Sequence, residues 1–241
     1  MTIRRIPIPF ENRMTKTQTI LGWIYAVLHI AVLPLLLNLL AVSVPGMTEG
    51  QLNVLYYGIG VLFTAAVMLP FLHSSFDVLL DRLRFCIICI LLALLVEYAL
   101  RTACTLVLML LQSIPETNPA TETMLELAES NSGILAGLSV FLAPVIEEIL
   151  FRGVVFGSIR SRSRGWAYVV SIVLFSVYHV WQYAAVSGDL RVLLYSLSYV
   201  PAAAALAWAY EHSGSIWTSI FFHMGYNAVS LWVLSLVESL Y

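Results

Sequence analysis

Charge is scarce in this chain of 241 residues. Asp, Glu, Lys and Arg make up 11% of it, against about 25% in ordinary soluble domains, while 60% is hydrophobic. So few ionisable groups cannot cover a water-facing globular surface. The long apolar runs fit a lipid bilayer instead, which takes about 20 residues per helical crossing. Cationic excess is missing as well. The formal net charge is −2, with no basic groove and no basic patch interleaved with aromatics, so nucleic acid is not an expected partner. Cysteine is limited to Cys86, Cys89 and Cys104 in one apolar run. The first two imitate half of a zinc cage, but no second pair completes it, and buried reduced thiols are the simpler reading. The runs also lack the period-two alternation of barrel strands, so backbone groups must be satisfied within helices. No internal repeat, low-complexity tract or second domain is evident, which predicts an all-α, polytopic transmembrane bundle forming one multi-pass domain over 1–241.

Seven spans are expected, at about 20–44, 52–72, 86–111, 133–157, 166–186, 191–210 and 215–238. Pro34 and Pro201 interrupt two of them and predict kinks. The first run is far longer than a signal-peptide core of about 7–15 residues, which favours an uncleaved span. Arg4, Arg5, Arg13 and Lys16 precede span one, Arg82 and Arg84 follow span two, and Arg160, Arg162 and Arg164 follow span four. The alternate loops carry Glu49, the glutamates 116, 122, 126 and 129, and Asp189 with Arg191. Basic loops stay inside, so the N-terminus is expected in the cytoplasm and the C-terminus outside a cell membrane. The acidic loop over 114–133 reads as a short amphipathic helix or as a solvated linker.

Ionisable groups within spans mark function unless paired or wetted. They are Glu97 and Arg101, then Glu147, Glu148 and Arg152, then His179, and lastly His223 with Asn227. At about 1.5 Å rise per residue, Glu147 lies about 15 Å, His179 about 20 Å, His223 about 12 Å and Asn227 about 18 Å from the inner ends of their spans. Side chains from three helices can therefore meet near mid-membrane. Phe175 and His179, and likewise His223 and Asn227, are spaced i and i+4 on one helix face. Glu148 and Arg152 share that spacing and are expected as a supporting ion pair. Glu147 projects about 100° away from Glu148 and is free to react. Glu97 and Arg101 read as a second embedded pair. Packing or a helix–helix hydrogen bond suffices for His29, and Phe175 reads as packing.

These residues carry a family likeness. E-E-x-x-x-R (Glu147, Glu148, Arg152), F-x-x-x-H (Phe175, His179) and H-x-x-x-N (His223, Asn227), in that order, resemble the CPBP family. That family comprises type II CAAX prenyl endopeptidases, bacteriocin-processing enzymes and Abi-type immunity proteins. The likeness covers residues 147–227; nothing before Gly133 carries a signature. It implies an intramembrane endopeptidase with Glu147, His179, His223 and Asn227 as the catalytic set. Glu147, assisted by His179, would activate a water, while His223 and Asn227 would donate to the oxyanion. The implied partner is a membrane-associated peptide or protein substrate, beside the bilayer itself.

No cofactor is favoured. A zinc version would use Glu147, His179 and His223 with an open position for water, whereas Asn227 is a poor zinc ligand. Two other classes stand beside the enzyme. One is a non-proteolytic immunity or scaffold protein, since some family members act without cleaving. The other is a proton-coupled transporter using Glu and His as a relay, for which the sequence shows no inverted repeat.

Overall fold

The computed structural model describes residues 10–111 and 133–238. Among these residues every regular element is helical and there is no strand. Helix α1 is Lys16–Ser43, α2 is Glu49–Asp81 and α3 is Leu83–Leu111. Helix α4 covers 133–160. Then come α5 at Arg164–Tyr178, α6 at Trp181–Ser187, a 3-10 segment at Leu190–Ser198, α7 at Val200–Ser213 and α8 at Ile216–Glu238. The acidic loop, with its expected amphipathic helix, lies outside the described residues, as do Arg4 and Arg5.

Local chemistry sets the ends. Thr15 and Thr48 open α1 and α2 with capping boxes completed by Gln18 and Gln51, satisfying the first free N–H groups. Gly188 and Gly214 close α6 and α7 at φ 68° and 75°, a left-handed turn that a side chain would strain.

Three prolines lie inside helices, and each follows a five-residue π-helical stretch ending two residues earlier. Leu28–Val32 precedes Pro34, Thr64–Met68 precedes Pro70, and Leu138–Leu142 precedes Pro144. Proline offers no N–H and its ring crowds the carbonyl four residues back. A wider turn relieves the crowding without breaking the helix. Pro34 therefore sits in an unbroken α1. Pro201 instead follows the 3-10 segment, where the chain bends by 46°.

By length and composition α1, α2 and α3 can each cross a membrane, and the count rises to five if the bent pairs α5/α6 and 3-10/α7 are each one span. The expected fifth span differs in detail. It breaks by 45° between Tyr178 and Trp181, with His179 at the break. Large apolar side chains such as Leu39, Leu62, Leu95 and Leu110 point outward from α1–α3, as suits a surface solvated by acyl chains.

Helix α4 is the axis of the bundle, and every residue of Ile149–Phe156 is buried. Gly60 of α2 lies so close to it that a Cβ there would fall 2.4 Å from Ile146 Cδ1. Gly153 and Gly157 admit Met14 and Asn12 of the segment before α1, the close approach that small-residue spacing favours. At one end of the bundle Glu211 of α7 accepts from Arg160, Arg164 and Tyr168. At the same end Arg82 donates to the Ser213 carbonyl at 2.9 Å. The basic loop residues thus share an end.

Gly60→Leu is expected to push α2 off α4 and destabilise the bundle by about 1–3 kcal/mol through overpacking. Thermal unfolding in detergent would show the loss, and adding Ile146→Ala would return part of it.

Candidate active site

The site is built on α4, α5 and α8. Glu147 and Glu148 occupy the last turn before the π-helical stretch Ile149–Phe156. Both are buried, at 5% and 0% exposure, and Arg152 is fully buried beside them. The adjacent carboxylates face different partners, as neighbours about 100° apart on a helix must.

Glu148 faces the ion pair. Its Oε1 accepts from Arg152 Nη1 at 3.1 Å and from His223 Nδ1 at 2.9 Å. Arg152 Nη2 also donates to the Ala203 carbonyl at 3.2 Å, and the guanidinium carbon lies 4.2 Å from the Phe175 ring centroid. The planar fork thus reaches a carboxylate, a carbonyl and a ring at once.

Glu147 faces the two imidazoles. Its Oε2 lies 3.7 Å from His179 Nε2 and 3.9 Å from His223 Nε2, and this oxygen is buried without a hydrogen-bond partner. The other nitrogen of each ring is already engaged. His179 Nδ1–H donates to the Phe175 carbonyl at 2.8 Å, and His223 Nδ1–H donates to Glu148. In its neutral form each ring therefore aims a bare Nε2 at Glu147, because the partner on the far side fixes the tautomer.

The break in α5 explains how His179 reaches this position. His179 caps the helix and its backbone N–H turns to Val177 O. That leaves the Phe175 carbonyl open for the imidazole of the same residue four positions on. Tyr199, at the second bend, stacks on His179 with centroids 4.4 Å apart. Phe175 is buried against both rings, at 4.5 Å from His179 and 5.8 Å from His223.

Asn227 has a definite partner. Its Nδ2 donates to the Ser139 carbonyl of α4 at 3.0 Å, leaving the second amide hydrogen for the site. Glu97 and Arg101 form the second expected pair at 2.6 Å, with Arg101 4.9 Å from the Tyr226 ring centroid.

An aromatic wall from α1, α2 and α5 was not anticipated. Tyr56 donates to the His29 carbonyl at 3.0 Å, its hydroxyl pairs with Tyr178 at 2.9 Å, and Tyr25 pairs with His29 Nδ1 at 3.1 Å. Aromatics are common in membrane helices, so their spacing held no signal. The pairing of Tyr56 with Tyr178 is long-range and becomes visible only in three dimensions.

Residues 129–229 match the family model for type II CAAX prenyl endopeptidase Rce1-like. The matched stretch contains all seven motif residues, Glu147, Glu148, Arg152, Phe175, His179, His223 and Asn227. It is consistent with the CPBP likeness read from those motifs. No curated protein and no solved structure matches the chain. The match is at the level of a CAAX-type membrane protease family.

Arg152→Ala would leave the Glu148 charge buried and half-partnered, a loss of about 3–5 kcal/mol for a broken buried pair. Arg152→Lys is expected to recover little, because an ammonium cannot span Glu148 and the Ala203 carbonyl together. Thermal midpoints of the two variants in the same detergent would check both.

Proposed function

We propose that the chain is an intramembrane endopeptidase that cleaves a peptide bond in a membrane-associated peptide or protein. The observation that carries this reading is the unpartnered Glu147 Oε2 lying between two imidazole Nε2 atoms. Glu147, assisted by His179, takes a proton from a water as its oxygen attacks the carbonyl carbon. The C–N bond then breaks and the proton passes from Glu147 to the leaving amine. With Nδ1–H held on the Glu148 carboxylate, a proton on His223 Nε2 is the one turned to the oxyanion. The second amide hydrogen of Asn227 supplies another donor, and each such donor is worth about 10²–10³ in rate.

The water reading rests on Asn227, a poor zinc ligand and a good amide donor. The 3.7 and 3.9 Å from Glu147 Oε2 to the two rings exceed the separation of about 3.4 Å between tetrahedral zinc ligands and fall short of the about 4.6 Å between two partners of one tetrahedral water. If zinc is nonetheless used, Glu147, His179 and His223 are its ligands. The basic end, with Arg82, Arg160 and Arg164, is assigned to the cytoplasm under the positive-inside rule. Seven spans with a cytoplasmic N-terminus fit that assignment. A prenylated CAAX peptide is the first substrate class to try, because the matched family model is named for it.

Comparative membrane proteomics of cells carrying the parent or Glu147→Gln protein tests the proposal. A cleavage product present only with the parent is expected. With that product as assay, Glu147→Gln should lower the rate by about 10²–10⁴-fold. Equal cleavage by the two proteins would remove the proposal. Cleavage is also expected to survive chelation, and activity that vanishes and returns with zinc would replace the water mechanism by the metal one. A partner complex that persists in the Glu147→Ala, His223→Ala double variant, with no product in either strain, would point to a scaffold.

A further inference from the structure

The Ser139 carbonyl has no backbone donor where a helix would normally supply one. The Ala143 N–H goes to the Leu138 carbonyl, closing the wide π-type turn. Residue 144, the next to present an N–H, is proline. Asn227 Nδ2 fills the gap at 3.0 Å. The same arrangement recurs on α1, where the Leu33 N–H goes to the Leu28 carbonyl, Pro34 follows, and the Tyr56 hydroxyl donates to the stranded His29 carbonyl at 3.0 Å. In both places a proline strands a carbonyl five residues back and a side chain from another helix answers it.

The wide turn matters for the site because it takes one residue more than an α-turn. Each residue rotates the helix by about 100°, so collapse of the turn at 138–142 would swing everything after it by about that angle. Glu147 would then turn away from His179 and His223.

We propose that Asn227 is a positioning residue for Glu147: by donating to the Ser139 carbonyl that Pro144 strands, it holds the widened turn of α4 that aims the carboxylate at both imidazoles. The inference rests on the endopeptidase reading for its assay, and it assigns Asn227 a task separate from donation to the oxyanion. The same hydrogen bond fixes which way the amide faces, because a carbonyl accepts only from the NH₂ side.

A double-mutant cycle separates the two tasks. Alanine at 144 removes the ring that favours the wide turn but restores an N–H that can close it on Ser139 as an i→i+5 bond. Pro144→Ala with Asn227 in place is therefore the control: cleavage by it shows that the turn keeps its width without the ring and that Asn227 is then dispensable for it. Asn227→Ala alone is expected to lower kcat by about 10²-fold or more, as loss of a donor at such a site does. Pro144→Ala combined with it should recover about tenfold, the scale of one hydrogen bond. The dependence of kcat on pH, displaced in Asn227→Ala, should return toward the parent's, because Glu147 again faces the rings. Pro34→Ala, which acts on the equivalent carbonyl of α1, should recover nothing, and an equal recovery from it would mark a general stabilising effect and overturn the proposal. A Pro144→Ala, Asn227→Ala protein no faster than Asn227→Ala also overturns it. If Asn227→Ala does not accumulate as folded protein, Asn227→Ser takes its place in the same cycle. The assay uses the product found by proteomics or an internally quenched farnesylated CAAX peptide in detergent micelles. Cleavage by Glu147→Gln as fast as by the parent would sink the endopeptidase reading itself. An inactive Glu147→Gln with no recovery by Pro144→Ala would sink this inference alone.

Discussion

One buried oxygen, Glu148 Oε1, accepts from both Arg152 and His223, and the arrangement of the site follows from that sharing. Charge within a low-dielectric bundle is tolerated only when paired and hydrogen-bonded. Once Glu148 is committed to Arg152, His223 is held by Nδ1 and its Nε2 is turned inward. Each glutamate keeps a buried Oε2 without a hydrogen-bond partner, and that of Glu147 is the one that faces the Nε2 atoms of His179 and His223. Two glutamates in one turn of one helix thereby take opposite roles, with one neutralised and orienting while the other stays available. Phe175 lies between Arg152 and the two histidines and ties the ion pair to the imidazoles through its ring.

Open backbone carbonyls recur around this centre. The break after Tyr178 frees the Phe175 carbonyl, and His179 takes it. Pro144 strands the Ser139 carbonyl, and Asn227 takes it. Pro34 strands the His29 carbonyl, and Tyr56 takes it. In hydrocarbon an unsatisfied carbonyl costs several kcal/mol, so each irregularity in a helix demands a donor. Where that donor comes from another helix, the irregularity also fixes a side chain in place. The imperfect helices of the bundle thus hold particular side chains, His179, Asn227 and Tyr56, in place.

Much of this was legible beforehand, and the reasons for the rest are specific. Helix and membrane followed from 60% hydrophobic residues and 11% charge. The i, i+4 spacings correctly paired Glu148 with Arg152 and Glu97 with Arg101, and the rise per residue brought Glu147, His179 and His223 to one depth. What stayed hidden depended on departures from regular periodicity. A uniform 3.6-residue helix contains neither the π-type turns before Pro34, Pro70 and Pro144 nor the bend at His179. It therefore gave Asn227 no partner on α4 and missed the Tyr199 stack. The second partner of Glu148 was hidden for another reason: an i, i+4 rule describes one helix, and His223 arrives from 75 residues away.

The central claim is that Glu147 and the two imidazoles share one water. The direct test is a map of the metal-stripped protein in lipid at a resolution that shows ordered solvent. A single peak within about 2.6–3.2 Å of Glu147 Oε2 and both Nε2 atoms is the expected result. Glu147 turned toward acyl chains, or an anomalous zinc signal bound by the three residues, would contradict it.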